Sequence, residues 1–413
     1  GENGVHRAAN WQEMQVLQSD DLHYSVDLDG DRYGSGEKAP GWVSLNGSRG
    51  GAVAVIHNFW QEYPAGFALN PNGIDIQIWP ETHPENLVFS TPFEEPAIQF
   101  TGPDGQSLRE EEAVRRFIEE NPTAPLGLKS FNIRSVDEAA WVEQVIEKYA
   151  QDRAITYNDI STNNGIGAAK TTEISIRFSG SALTDAEADM LAENVQEPLV
   201  AVVDPAYVGT TQALGHVHPA GDARFADVDT DLEDVFEITA IDPVTRCRRY
   251  GKMRYGNMVC AHSPASGWVY LLYKDSDPEK ALRYIGTYNN EAVDQIMAVW
   301  GHFVRTGNRE HLLIARRYAR CVADVAFVHA HPEHPEHVGV IHYHNGHLWS
   351  GQMSTSHSII TGILTDYYMT GNRRLLDVAR EAADRVVSTQ EPAGILSVRQ
   401  GGLHRNFTGP LSI

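Results

Sequence analysis

Eight of the 18 histidines fall within residues 329–357: His329, His331, His334, His337, His342, His344, His347 and His357. Neutral imidazole is both the commonest metal ligand and a natural acid or base near neutral pH. The run His331-Pro-Glu-His334-Pro-Glu-His337 is broken by proline, so its rings cannot share one helix face as an HExxH zinc helix requires. It reads either as an exposed loop or, together with His329, as a structural site for zinc or calcium. The segment His342-Tyr-His-Asn-Gly-His-Leu-Trp349 is of another kind. Its tyrosine and histidines are able to move protons, and Trp349 offers a face on which a sugar ring stacks; the bland alternative is a packed aromatic loop. Smaller groups lie upstream. Asn289 or Asn290, in Tyr288-Asn-Asn-Glu291, either caps a helix or presents an amide to a substrate carboxylate. Arg254-Tyr-Gly-Asn257 and His262 form a polar cluster, and His57-Asn-Phe-Trp-Gln61 ends a strand with mixed polar and aromatic groups. Asp27-Leu-Asp-Gly-Asp31 and Asp227-Val-Asp-Thr-Asp231 lack the glycine that an EF-hand loop has at its sixth position, so both read as turns.

The elements that must position these residues change character along the chain. Residues 51–57, 73–79 and 171–178 alternate with period two and are separated by Pro-Gly, Asn-Gly and Asp-Gly punctuation, which predicts strands. Helices are expected over 107–120, 135–151 and 184–195. Together these suit an antiparallel β-sandwich with short helical insertions over residues 1–230. From 231 onwards the apolar period becomes 3.6, predicting helices over 275–298, 309–327, 356–369 and 373–388. Phe303-Val-Arg-Thr-Gly-Asn-Arg309 recurs as Tyr367-Tyr-Met-Thr-Gly-Asn-Arg373. The register continues with Leu312 on Leu376, Ala315 on Ala379 and Ala319 on Ala383. Each copy reads as a helix, a turn in which glycine supplies the left-handed cap, and a second helix capped by asparagine. Helix hairpins of this kind close an α/α toroid when about six are stacked. Residues 231–413 have room for about three, so the expectation is an incomplete toroid in a piece of a longer polypeptide.

Composition narrows the partners. Apolar residues at 42% and charged residues at 21% are ordinary for a globular chain, and no apolar run approaches the ~18 residues of a membrane span. Acidic residues outnumber basic ones 55 to 33, a formal charge of −22. That speaks against nucleic acid, which requires a basic face, and against an anionic membrane surface. It suits a salt-tolerant, secreted or periplasmic setting. The three cysteines, Cys247, Cys260 and Cys321, allow one pair (247 with 260) or free thiols, and no CxxC spacing offers a thiolate zinc site.

Several motifs, taken in order, resemble the exo-rhamnogalacturonan lyase (YetA-like) proteins. They are His57-Asn-Phe-Trp-Gln-Glu-Tyr-Pro64, Gly167-Ala-Ala-Lys-Thr-Thr-Glu173, Asp204-Pro-Ala-Tyr207, Tyr255-Gly-Asn257, Asn289-Asn-Glu291, the Thr-Gly-Asn hairpins and His344-Asn-Gly-His347 with Ser356-His357. Thr172 stands where that family's pattern carries histidine, and Asn257 where it usually carries aspartate. The resemblance implies β-elimination at a uronic acid, with related architectures serving ulvan lyases and an anionic polysaccharide as partner. Elimination needs a group that neutralises the C6 carboxylate, a base for the C5 proton and an acid for the leaving oxygen. The roles it suggests are Asn290 or His262 as neutraliser, Tyr343 or His344 as base, and Tyr343 as possible acid. Trp349, His347, His357, Lys170, Arg254, His57, Trp60 and Tyr255 are the implied substrate contacts, and no organic cofactor is required. A glycoside hydrolase on a toroid, or a non-catalytic carbohydrate-binding piece, are the competing classes.

Overall fold

The computed structural model describes residues 6–80, 167–245, 248–260, 294–342 and 360–388, with the short strands Glu94–Pro96, Phe100–Thr101, Ser107–Leu108, Ala154–Thr156, Thr287–Tyr288 and Met353–Ser354. The chain divides into two compact units. The first is drawn from Gly1–Val88, Lys170–Val202 and Arg249–Tyr255; the second from Phe89–Ala169, Val203–Arg248 and Gly256–Ile413.

The first unit is built on two antiparallel sheets. One orders its strands β3 (Asp31–Gly36), β2 (Tyr24–Leu28), β1 (Met14–Gln18), β6 (Ala65–Asn70), β7 (Gly73–Gln77). The other orders β8 (Ile174–Ser179), β5 (Gly50–Ile56), β4 (Trp42–Gly47). Met14, Tyr24, Val26, Phe67 and Leu69 from the larger sheet meet Val43, Ala54, Ile56 and Phe59 in one apolar interior. The other face of β5 turns Val53 and Val55 onto Ala188 and Ala192 of helix α1 (Asp185–Gln196) and onto Leu183 just before it. β5 is thus buried on both faces, so 52–56 is a continuous apolar run in place of the period-two alternation expected over 51–57. Thr184 caps α1 through a reciprocal capping box with Glu187. The strands expected at 51–57, 73–79 and 171–178 and the helix expected at 184–195 are all present, shifted at their ends by up to three residues.

The second unit contains α2 (Pro205–Thr211), α3 (Ala226–Phe236), α4 (Gln295–Thr306), α5 (Arg309–Cys321), α6 (Thr361–Thr370) and α7 (Arg373–Ser388). Helices therefore begin before residue 231, and residues 203–230 cluster with the helical unit. The helix expected over 309–327 widens into a π-helical turn at Val322–Ala326. The strand pair Val259–Cys260 with Thr287–Tyr288 interrupts the helix expected over 275–298. Ser107–Leu108 is likewise strand, paired with Phe100–Thr101, where the sequence predicts the start of a helix; the remainder of that span and all of 135–151 lie outside the described residues.

α4–α5 and α6–α7 are two helix hairpins with the same turn. Gly307 and Gly371 close α4 and α6 in the left-handed region at φ 65° and 72°, each donating its N–H to the carbonyl four residues back, Phe303 and Tyr367. Thr306 Oγ1 accepts from Asn308 N–H at 3.2 Å, and Thr370 Oγ1 from Asn372 N–H at 3.1 Å. Asn308 and Asn372 then accept from the N–H groups of Glu310 and Arg374. The hairpins pack side by side. Gly362 lies so close to α4 that a Cβ would stand 2.6 Å from Ile296, and its N–H donates to Asp294 Oδ1. These are antiparallel helix pairs in register at an offset of 64 residues; among the described residues they are two repeats, and closure into a toroid is not part of what they define.

Candidate functional site

The turn between β5 and β6 carries the first candidate site. Phe59 is buried in the sandwich interior and stacks on Phe67 with ring centroids 5.2 Å apart, which pins the turn. Glu62 N–H closes it on Asn58 O at 2.8 Å. The segment 249–255 runs alongside, with Gly251 N–H bonded to Gln61 O and Lys252 N–H to Tyr63 O. Gly251 holds φ +103°, where a side chain would be strained and would also press on the Tyr63 ring.

These elements bring together a buried charge group. Lys170 Nζ stands 3.0 Å from Glu62 Oε1, with the two side chains only 3% and 7% exposed. Lys252 is buried as well. Burial pushes its ammonium down to about 8; Glu62 opposes that shift and the like charge of Lys170 adds to it. Lys170 thus pairs with Glu62 directly, and Lys252 lies within the field of both. Around them stand aromatic faces: Trp60 against Tyr250 at 4.8 Å, Tyr250 stacked on Tyr255 at 5.9 Å, Lys38 Nζ 4.3 Å over Trp60 and Lys252 Nζ 5.2 Å over Trp79. Such ammonium–ring contacts hold the cations without neutralising them. Trp79 and Arg254 are exposed at the rim. Gln61 Oε1 and Thr172 Oγ1 are buried with no hydrogen-bond partner among the described residues, leaving polar atoms beside Glu62 and close in sequence to Lys170. His57 is placed at the end of β5, its Nδ1 3.6 Å from Glu173 Oε2.

Of the substrate contacts implied by the sequence, Lys170, Trp60 and Tyr255 therefore join one group, Arg254 lies on the same turn as Tyr255, and His57 pairs with Glu173 instead. Glu62, Lys252 and Tyr250 were missed as site residues; Glu62 lies within the 57–64 motif, and Tyr250 and Lys252 just precede the 254–257 cluster. Asn290, His262, Tyr343, His344, His347, Trp349 and His357 lie outside the described residues.

The four histidines expected to hold a metal separate into two environments. His331, His334 and His337 gather on one loop with ring centroids 5.0–5.2 Å apart. His331 Nδ1 accepts from the N–H groups of Glu333 and His334, and His334 Nδ1 lies 3.1 Å from Glu336. One ligand atom from each of His334, Glu336 and His337 converges on a spacing a cation would accept. His329 takes no part: its Nδ1 is 2.7 Å from Glu381 and its Nε2 2.7 Å from Ala323 O, tying the end of α5 to α7.

A second convergence has no sequence signal. Glu233 of α3 lies between His302 of α4 and His311 of α5, 3.2 Å from the Nε2 of the first and 3.3 Å from that of the second. The imidazoles are 4% and 3% exposed, the carboxylate 52%. Phe236, one turn beyond Glu233, covers both rings at 4.7 and 4.9 Å. Burial lowers both imidazoles, His302 to about 4 with His311 beside it adding to the effect, while Glu233 opposes.

No family model matches the chain. It is 21% identical to the uncharacterized protein YetA of Bacillus subtilis (strain 168), an alignment that covers 97% of this chain and 41% of that protein. The chain thus spans less than half the length of that relative. No helix among the described residues is long and apolar enough to cross a membrane.

Proposed function

We propose that this chain belongs to a secreted or periplasmic polysaccharide lyase that cleaves a uronate-containing polymer, of rhamnogalacturonan or ulvan type, by β-elimination. The observation that supports it best is the buried Lys170–Glu62–Lys252 group framed by Trp60, Tyr250 and Tyr255. A uronate residue has a carboxylate and an apolar ring face. An excess of ammonium over carboxylate attracts the first, and a half-buried aromatic face stacks on the second. Lys170 and Lys252 attract the anionic polymer to the first unit through their field. Asn290 or His262 neutralises the carboxylate that flanks the acidic C5–H. Tyr343 or His344 removes that proton, and Tyr343 returns one to the departing C4 oxygen.

The test is product chemistry on a panel of rhamnogalacturonan, ulvan, alginate and glycosaminoglycans. Elimination creates a 4,5-unsaturated end that absorbs in the near ultraviolet. Reducing ends without that absorbance would indicate a hydrolase, and retention without cleavage a binding module; either result removes the lyase reading. Within an active polymer, Lys252→Met should raise KM about tenfold or more, with Lys252→Arg retaining most of the affinity. Affinity should also fall as pH rises through about 8, because Lys252 then loses its charge. A flat pH profile of KM from about 7 to 9 would place substrate elsewhere.

A further inference from the structure

We propose that Glu233, His302 and His311 form a binding site for a divalent transition-metal ion of the zinc type, clamping α3 to the α4–α5 hairpin. Two ligands about 2.0–2.1 Å from a tetrahedral zinc stand roughly 3.3 Å apart, and the two nitrogen-to-carboxylate separations are 3.2 and 3.3 Å. Two imidazoles and one carboxylate, with no thiolate, is a donor set that suits zinc.

The hydrogen bonding around His311 adds an independent argument. Thr306 Oγ1 donates its one proton to the carbonyl of His302 at 3.0 Å. His311 Nδ1 lies 2.8 Å from the same hydroxyl; with the ring proton on Nδ1 and donated to that oxygen, Nε2 is bare. That bare nitrogen faces an anionic oxygen of Glu233 at 3.3 Å. Two lone pairs so placed repel unless a cation lies between them. A metal ion placed there satisfies both. The threonine then does what outer-shell partners of zinc-bound histidines do, orienting the ring through its other nitrogen. On the far side, Arg305 Nη1 reaches His302 Nδ1 only at 3.5 Å, and the same arginine pairs with Asp229 of α3, bracing the two helices. The half-exposed carboxylate leaves one side open, where water completes the coordination.

The experiment is zinc titration of chelator-treated protein, by calorimetry and by metal analysis after gel filtration. The His331–His337 loop is a second possible zinc binder, so the reference protein carries His334→Ala and His337→Ala. One equivalent should remain bound in that protein, and cobalt(II) in its place should give the intense visible absorption of a tetrahedral site. Glu233→Gln alters a half-exposed side chain and should preserve the circular dichroism spectrum while weakening zinc at least tenfold. Zinc should also raise the unfolding temperature of the reference protein but not of the Glu233→Gln variant. Absence of a bound equivalent in the reference protein would overturn the proposal. So would unchanged affinity in Glu233→Gln, or an octahedral cobalt spectrum.

Discussion

The two helix hairpins of the second unit share a turn down to individual hydrogen bonds, yet use it for different ends. In the first, Thr306 serves His311 of the following helix at 2.8 Å. In the second, the Thr370 hydroxyl meets the carboxylate of Asp366 in its own helix at 3.1 Å, while both hydroxyls reach the carbonyl four residues back, at 3.0 Å for Thr306 and 2.7 Å for Thr370. Two register positions explain the change: His302 in α4 corresponds to Asp366 in α6, and His311 in α5 to Leu375 in α7. Both polar members are buried, but they sit on opposite sides of the proton balance. Burial pushes the Asp366 carboxyl up to about 6, with the Thr370 hydrogen bond and the nearby Arg316 opposing, whereas it drives the His302 imidazole down to about 4. The turn is generic scaffold; what the hairpin presents is decided by the side chains that flank it.

The largest difference should come from packing. Trp300 is 1% exposed, and its counterpart Leu364 is only partly buried. Trp300→Ala should cost about 3–5 kcal/mol and Leu364→Ala less than half as much, read from urea unfolding. Equal costs would mean that the second hairpin is as deeply embedded as the first.

Acid should then divide the hairpins. A carboxyl whose folded value lies above its unfolded one destabilises the fold once ionised. The Asp366 penalty is absent below about pH 4, grows between about pH 4 and 6, and is complete above. Asp366→Asn should therefore stabilise the protein at pH 7 by up to about 3 kcal/mol and hardly at all at pH 4. His302 has the opposite slope: its folded value lies below the unfolded one, so in metal-free protein stability is lost as pH falls from 6.5 towards about 4. If Asp366→Asn leaves the pH dependence of the urea midpoint untouched, the carboxyl is not the group that distinguishes the hairpins.

The smallest effect should be the one the hairpins share. Asn308→Ala and Asn372→Ala each remove a helix cap and should each cost about 1 kcal/mol. Values differing by more than their errors would show that the two turns, alike in geometry, are not alike in load.

The hairpins were legible because every determinant lies within a few residues. The 3.6 period sets the helices, glycine alone enters the left-handed cap without strain, and asparagine caps the second helix of each pair. Helix α1 was legible for the same reason, through Thr184 and Glu187. The helix expected over 275–298 is helical at 295–298 but strand at 287–288, where a strand pair joins it to residues 259–260; propensity within a window carries no information about a partner almost thirty residues away. The histidine-rich loop announced itself by composition, and three of its rings do meet. Its fourth member, His329, was claimed by Glu381, 52 residues downstream.

What the sequence determined by itself, then, is the pair of sheet-forming and helix-forming halves, the repeat and its turn, because these arise from backbone preference and local hydrogen bonding. Only the tertiary structure decided which charges share a space. Glu62, Lys170 and Lys252 come from three separated segments, and Glu233, His302 and His311 from three helices. Whether a lysine is an exposed solvated cation or a buried one shifted towards neutrality depends on the surrounding desolvation and charge. Those are properties of packing in space, and no spacing along the chain encodes them.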